Sequence, residues 1–192
     1  ANAAAAPAAL ENVSYDITEQ ELKLKLSEGI DMYQQFCAAR DVWDKLRSTS
    51  EAKDWVDVYG GTAQKTKSKE KFPQSNVYRE LLDSNGAKLG FAFTGYNATE
   101  NRIELVAMCA QSGKGLGRLL LQGVLVKDAP RLVLRHNAPK TLLIAMYQKN
   151  KNVPPGLRKR FIDLLDDLNY KVEVRNMPGI KTGNRDLIVT LP

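Results

Sequence analysis

Between Glu104 and Arg118 the chain reads Glu-Leu-Val-Ala-Met-Cys-Ala-Gln-Ser-Gly-Lys-Gly-Leu-Gly-Arg, and the residue types that could do chemistry are concentrated there. Ser112-Gly113-Lys114-Gly115-Leu116-Gly117 sets glycines at alternate positions, with Lys114 inside the run and Arg118 directly after it. Glycine adopts positive φ without strain and lets a ligand approach the backbone closely. A helix beginning in this run would leave its first N–H groups without intrahelical partners, at the positive end of its dipole. Such a turn suits an anion, and Lys114 and Arg118 could add charge-assisted hydrogen bonds to phosphate oxygens.

Spacing narrows the choice of anion. A Walker loop needs Gly-Lys-Ser/Thr after its first glycine and four intervening residues, but Lys114 is followed by Gly115. A Rossmann fingerprint needs a third glycine three residues after the second, and the two registers place Arg118 or Leu120 there. No acidic residue closes a strand about twenty residues on, as that fold also requires.

The elements that must hold this turn can be read on both sides of it. Val77 to Leu82 and Leu89 to Tyr96 are strand-like and joined through Asp83-Ser84-Asn85-Gly86, where Asn-Gly signals a hairpin. Asn97 to Asn101 makes a second turn into a strand from Ile103 to Ala110. The glycine run therefore follows a three-strand antiparallel meander, which a Rossmann unit would not supply. After it, Leu116, Leu119, Leu120, Gly123 and Val124 recur at helical spacing. Lys127 to Lys140, with Pro130 and Pro139, reads as an irregular connection, and Thr141 to Tyr147 as a buried parallel strand. Leu157, Phe161, Leu164, Leu165 and Leu168 predict an amphipathic helix starting near Pro155, and Tyr170 to Val174 with Asp186 to Leu191 a closing strand pair.

Upstream, alternating Val13, Tyr15 and Ile17 predict a first strand, and Thr18 with Glu21 has capping-box spacing. Ile30 to Leu46 fits a helical face. Thr62 to Asn76 is polar, with Lys65, Lys67, Lys69 and Lys71 at alternate positions, and reads as a solvated loop. The fold class is α/β (α+β), a mixed sheet with flanking helices. Residues 1–11 read as a flexible Ala-rich tail, and residues 12–192 as a single domain.

With 192 residues, 43% hydrophobic and 26% charged, the chain can close one core of ordinary size. Its formal charge of +6 favours acidic partners without choosing among them. Cys37, Cys109 and the single His136 offer no metal spacing, so no metal is expected and reduced thiols are expected over a disulfide framework. No run approaches the roughly twenty apolar residues that span a bilayer, and the amino terminus lacks a basic lead. A cytoplasmic or otherwise intracellular setting without membrane contact is the expectation.

Ser112-Gly113-Lys114-Gly115-Leu116-Gly117 resembles the coenzyme A signature of the GNAT superfamily of N-acetyltransferases, Arg/Gln-x-x-Gly-x-Gly/Ala, with Ser112 where Arg or Gln usually stands. The order of elements from about Asp16 to Leu191 is similar to that fold, in which the meander is strands two to four and strands four and five splay apart. The resemblance implies that acetyl-CoA is bound as substrate and its acetyl group passed to a primary amine by direct attack in a ternary complex. It implies that Met108, Cys109 and Ala110 meet the pantetheine arm through their backbone, and that Ser112, Gly113, Lys114, Gly115, Leu116, Gly117 and Arg118 hold the pyrophosphate. Glu104 is the implied general base, which an apolar setting would favour; its plain alternative is an ion pair with Arg79 or Arg102. The family's acidic tyrosine falls on Leu165, which donates no proton. Tyr147 and Tyr96 are substitutes, Asn150 or Asn152 stands for the family's post-strand asparagine, and Asn169 for the glycine that closes the following helix.

A second reading keeps the fold without the catalysis, as an interaction or assembly subunit; Ser112 and Leu165 support it. An Ala-rich tail is seldom ordered alone, so this reading includes a partner protein that holds it. A third, nucleic-acid binding, rests only on charge and the lysine-rich loop, and the absence of interleaved aromatics speaks against it.

Overall fold

The computed structural model describes residues 10–17, 21, 25, 28, 32, 76–98, 100–111, 115–144, 156–175 and 186–192. Ser112, Gly113, Lys114, Tyr147, Asn150, Asn152, the lysine-rich loop and most of 18–50 lie outside the described residues. The strands are β1 (Glu11–Asp16), β2 (Asn76–Leu82), β3 (Lys88–Asn97), β4 (Arg102–Ala110), β5 (Thr141–Ile144), β6 (Val172–Arg175) and β7 (Asp186–Thr190). The helices are α1 (Leu116–Gly123), running through a π-helical segment (Val124–Asp128) into α2 (Ala129–His136), and α3 (Leu157–Asp167). One sheet holds the strands in the order β1-β2-β3-β4-β5-β7-β6. Pairing is antiparallel from β1 to β4, parallel between β4 and β5, and antiparallel where β7 enters between β5 and β6.

The β2–β3 turn is built by Asp83 more than by Asn85-Gly86. The Asp83 carboxylate accepts from the N–H groups of Asn85 and Ala87 at 2.8 and 2.9 Å, and its carbonyl accepts from Gly86, whose φ is 80°. Past the turn, β3 and β4 approach α1 so closely that a Cβ on Gly90 would lie 2.7 Å from the Cys109 carbonyl and 2.9 Å from Leu120 Cδ1.

Val77, Leu81, Ala92, Ile103, Leu105, Leu142, Ile144, Leu187 and Val189 share one face of the sheet and form a core with Leu116, Leu120, Leu121, Val124, Leu125 and Leu132 of the long helix. Each fully buried leucine of that helix stabilises the packing by about 2 kcal/mol. Tyr78 stacks on Phe91 on the opposite face, where Phe93 and Tyr15 both meet Tyr78 edge-on. Glu21, Lys25, Glu28 and Met32 are helical, and the strand expected around Val13 to Ile17 is β1.

The expected irregular stretch from Lys127 to Lys140 is helical as far as His136. Pro130 lacks an N–H, and its ring would meet the carbonyl four residues back in a regular α-helix. The π-helical turn just before it widens the spiral and shifts the hydrogen-bond register, so the helix passes Pro130 without a break. Asn137, with φ 49°, then ends it, and Asn169, with φ 62°, ends α3 in the left-handed conformation expected of it. No described helix is long and apolar enough to cross a membrane.

Candidate functional site

At the start of α1, Gly115 takes φ 67°, ψ 16°, a left-handed conformation that L side chains rarely adopt. Among the described residues no side chain caps this helix start, and no acidic residue stands in its first turn. A Cβ built on Gly115 or Gly117 would meet no atom within 4 Å, so the backbone of both is open on that side. Leu116 is buried in the core and anchors the turn, leaving only its backbone for a ligand. Arg118 is half-exposed and forms an ion pair with Asp167 at the end of α3, joining the two helices beside the opening.

β4 itself carries a bulge. Phe93 pairs with Ala107 while Thr94 pairs with Leu105, so Val106 is the extra residue. Among the described residues the parallel β4–β5 ladder runs from Ile103 opposite Leu142 to Leu105 opposite Ile144. The bulge also changes parity: Ile103 and Leu105 pack with the helix before it, and Met108 and Ala110 after it. Met108, Cys109 and Ala110 keep their register with Ala92, Phe91 and Gly90 of β3. The Gln111 N–H donates to the Leu89 carbonyl at 2.9 Å, so the first amide of the bend serves the sheet and not a ligand. Cys109 is buried and disulfide-bonded, which overturns the expectation of reduced thiols. Pairing depends on how near two cysteines come in the fold, which their linear spacing does not carry. Cys37, the other cysteine of the sequence, lies outside the described residues.

Glu104 precedes the bulge by two residues and, by alternation, stands on the face opposite α1. Its surroundings are not apolar. Oε1 accepts from Arg102 Nε at 2.6 Å and from Asn97 Nδ2 at 3.2 Å, while Oε2 has no hydrogen-bond partner among the described residues. Of the two arginines considered as partners, Arg102 fills the place. Leu165 is fully buried in the core, where its carbonyl accepts from the Tyr170 N–H at 2.9 Å. The Tyr96 hydroxyl donates to Asn101 Oδ1 at 2.8 Å and its ring stacks on His136 with centroids 4.1 Å apart. That turns Tyr96 toward the β3–β4 turn.

A charged cluster lies on the same face as Tyr78. Lys25 Nζ donates to Glu28 at 3.1 Å and Glu80 at 2.9 Å and sits over the rings of Tyr15 and Tyr78, 5.6 and 5.3 Å from their centroids. Lys88 Nζ bonds Glu28 at 2.7 Å and lies 3.2 Å from Glu80. Burial pushes Lys25 down, but its bonds to Tyr15, Glu80 and Glu28 outweigh this and hold it above the ordinary lysine range. Burial likewise pushes Glu28 up, and the bonds from Lys88 and Lys25 reverse that, keeping its carboxyl below the usual value. Burial, with the Glu80 charge behind it, drives the Tyr78 phenol well up, and its hydroxyl has no hydrogen-bond partner among the described residues.

One network escaped the sequence reading. Arg79, 1% exposed, donates Nε to Asp128 Oδ2 at 2.9 Å and Nη2 to Asp128 Oδ1 at 2.7 Å, and Asp128 is fully buried. Arg79 Nη1 donates to Asn12 Oδ1 at 2.8 Å, and Asn12 Nδ2 donates to the Leu119 carbonyl at 3.3 Å. The available signal was Gly123 with Asp128 on an otherwise apolar helical face, opposite an arginine inside a strand of buried type.

No family model matches the chain, and no curated protein does. Among solved structures, an acetyltransferase of the GNAT family from Staphylococcus aureus Mu50 superposes with a TM-score of 0.53 at 13% identity, covering 96% of this chain and 100% of that one. The PaiA N-acetyltransferase from Thermoplasma acidophilum, solved in complex with coenzyme A, gives a TM-score of 0.48 at 12% identity, covering 95% of this chain and 99% of that one. The first of these likenesses, together with the strand order, shows that this chain has the GNAT fold.

Proposed function

We propose that this protein is an acetyl-CoA-dependent N-acetyltransferase acting on a primary amine by direct attack. The observation that supports this most is the glycine-opened start of α1, which has no side-chain cap among the described residues and follows a strand that bulges at Val106. The residues present suit an acyl-coenzyme A. The amides of Gly115, Leu116, Gly117 and Arg118 suit a diphosphate, and the β4 backbone at Met108, Cys109 and Ala110 an extended amide-bearing arm. Ser112, Gly113 and Lys114 complete the phosphate loop in this reading, and Asn150 follows β5.

In the reaction the amine nitrogen attacks the acetyl carbonyl carbon, an amide bond forms, the carbon–sulfur bond breaks, and coenzyme A departs as its thiolate. Backbone N–H groups of β4 polarise the carbonyl oxygen. Glu104 takes the amine proton through Oε2, with Arg102 and Asn97 holding the carboxylate by its other oxygen. Tyr147 is the proposed acid, since Leu165 offers none and the Tyr96 hydroxyl is engaged elsewhere. The acceptor is a small-molecule amine or an amino group of a protein.

Calorimetric titration with acetyl-CoA tests the substrate, and release of free thiol with a panel of polyamines, aminoglycosides and lysine or amino-terminal peptides tests the transfer. No heat at millimolar acetyl-CoA would remove the proposal. A non-enzymatic, interaction-type member of the fold is the second reading, favoured by Leu165 where a proton donor would stand. Coenzyme A binding without thiol release on any amine would select it.

A further inference from the structure

The pair Arg79–Asp128 has no part in the chemistry above, yet it acts on the helix whose start that chemistry uses. Asp128 closes the π-helical segment, and its carboxylate makes no cap to its own helix; both oxygens go to Arg79 on β2. The same guanidinium reaches Asn12 on β1, and Asn12 grips the Leu119 carbonyl within α1. Between these points the helix presses Gly123 onto the Arg79 side chain so closely that a Cβ there would lie 2.4 Å from Nε and 2.6 Å from Cζ. One side chain thus meets the long helix at the close of its π-helical segment, at Gly123 and, through Asn12, near its beginning.

Apolar burial alone does not set this register. The leucines beneath the helix are held by a non-directional effect, and similar burial is compatible with small slides and rotations. A slip of one residue would shift each amide by about 1.5 Å and turn it by about 100°. A buried ion pair is intolerant of such a slip, because both charges would lose their partners in a medium that cannot solvate them. The bidentate fork adds direction to the contact, which a lysine could not reproduce.

We propose that Arg79 is a positioning residue: through Asp128, Gly123 and Asn12 it fixes the axial and rotational setting of the long helix, and so the placement of the amides of Gly115 to Arg118 at its start. The inference rests on the acyl-coenzyme A reading of that helix start. The π-helical segment belongs to the device, since it sets where Asp128 falls on the helix surface relative to α1.

The test compares wild type with Arg79→Lys, Asp128→Asn and the milder, partly surface change Asn12→Ala, using coenzyme A as the probe. The first two changes raise the calorimetric Kd for coenzyme A at least about tenfold, in line with the sensitivity of site chemistry to displacements of about 1 Å. Asn12→Ala raises it about two- to threefold. Hydrogen exchange at the amides of Leu119 to Gly123 accelerates in all three, while β6 and β7 keep their protection. Val172→Ala, on the far edge of the sheet, lowers Tm but leaves Kd and α1 exchange unchanged, which separates positioning from general loosening. If the Arg79 and Asp128 variants fail to fold, Asn12→Ala carries the test. Wild-type binding with unaltered Kd and exchange in the folded variants overturns the positioning role alone. No binding by wild type overturns the acyl-coenzyme A reading and this inference with it.

Discussion

Arg102 and Glu104 stand two residues apart on one face of β4, with Arg102 Nε donating to Glu104 Oε1 at 2.6 Å. Residues two apart on a strand point to the same side, so the pair needs no other element to bring it together. The carboxylate is 27% exposed and stands two residues before the bulge at Val106. It is held by one oxygen and offers the other.

If Glu104 takes the amine proton, Glu104→Gln keeps the bond from Asn97 and removes the base. The expected result is a fall in kcat of about 10²–10⁴ with little change in KM for acetyl-CoA. Arg102→Ala releases the carboxylate without removing it, and a kcat loss of about tenfold follows. Thiol-release kinetics measure both. A Glu104→Gln enzyme within twofold of wild type would move the base elsewhere.

The glycines of the loop give a prediction with opposite signs. Gly117 lies in the first turn of α1 with open space where a Cβ would go. Gly117→Ala should therefore stabilise the helix by up to about 1 kcal/mol, while its methyl obstructs a ligand meant to lie against the backbone. Thermal melts should show a raised Tm and calorimetry a weaker coenzyme A affinity in the same variant. Gly115 has φ 67°. Gly115→Ala should lower Tm instead, by a strain of about 1–2 kcal/mol. Unchanged affinity in Gly117→Ala would mean the ligand passes elsewhere.

What could be read from the sequence was the order of elements and the glycine loop, because both are written in local spacing. Asn169 was legible as a helix stop for the same reason: the left-handed conformation is a property of one residue and its neighbours. The helix through Pro130 was not, since proline's local rule says stop and only the wider π-turn before it lets the chain continue. The bulge at Val106 left no mark in the apolar run from Leu105 to Ala110, being a mismatch between two strands and not a feature of either. Arg79 was weighed as a partner for Glu104, yet the pleat sends it to the helix side, where Asp128 waits far along the chain. Long-range pairings of this kind are decided by topology.

The exposed pair Arg118–Asp167 sets the helix cation against a fixed anion at the place where a diphosphate would bind. The two side chains are 43% and 61% exposed. Such a pair contributes no more than about 1 kcal/mol to stability. Asp167→Asn should leave Tm within a degree or two and tighten coenzyme A binding about two- to fivefold at low salt, the gain shrinking as salt screens the charges. Arg118→Ala should weaken binding about tenfold. Equal affinities across wild type and Asp167→Asn at low ionic strength would show that Arg118 does not turn to the ligand.

The cluster around Lys25 predicts how stability depends on pH at both ends of the range. Glu28 has its folded carboxyl held below the ordinary value of 4.5 by Lys88 and Lys25 against the push of burial, so its contribution is present above that value and is lost as the pH falls through the depressed one. Lys25 is raised above 10.5, and its contribution is present below that pH and is lost as the pH rises through the raised value. Tyr15 and Tyr78, raised from 10.0 chiefly by burial, act in the same alkaline direction, because ionising either phenol beside Glu80 is opposed in the folded state. Urea midpoints should thus hold level from about pH 5 to about pH 10 as far as these groups decide it, and decline on either side. Glu28→Gln should lower the plateau and flatten the acid limb, whereas Lys25→Met, which leaves Glu80 with Lys88 alone, should lower the plateau more and flatten the alkaline limb. Acid limbs that superimpose for wild type and Glu28→Gln would show that Glu28 is not what loses stability below pH 4.5.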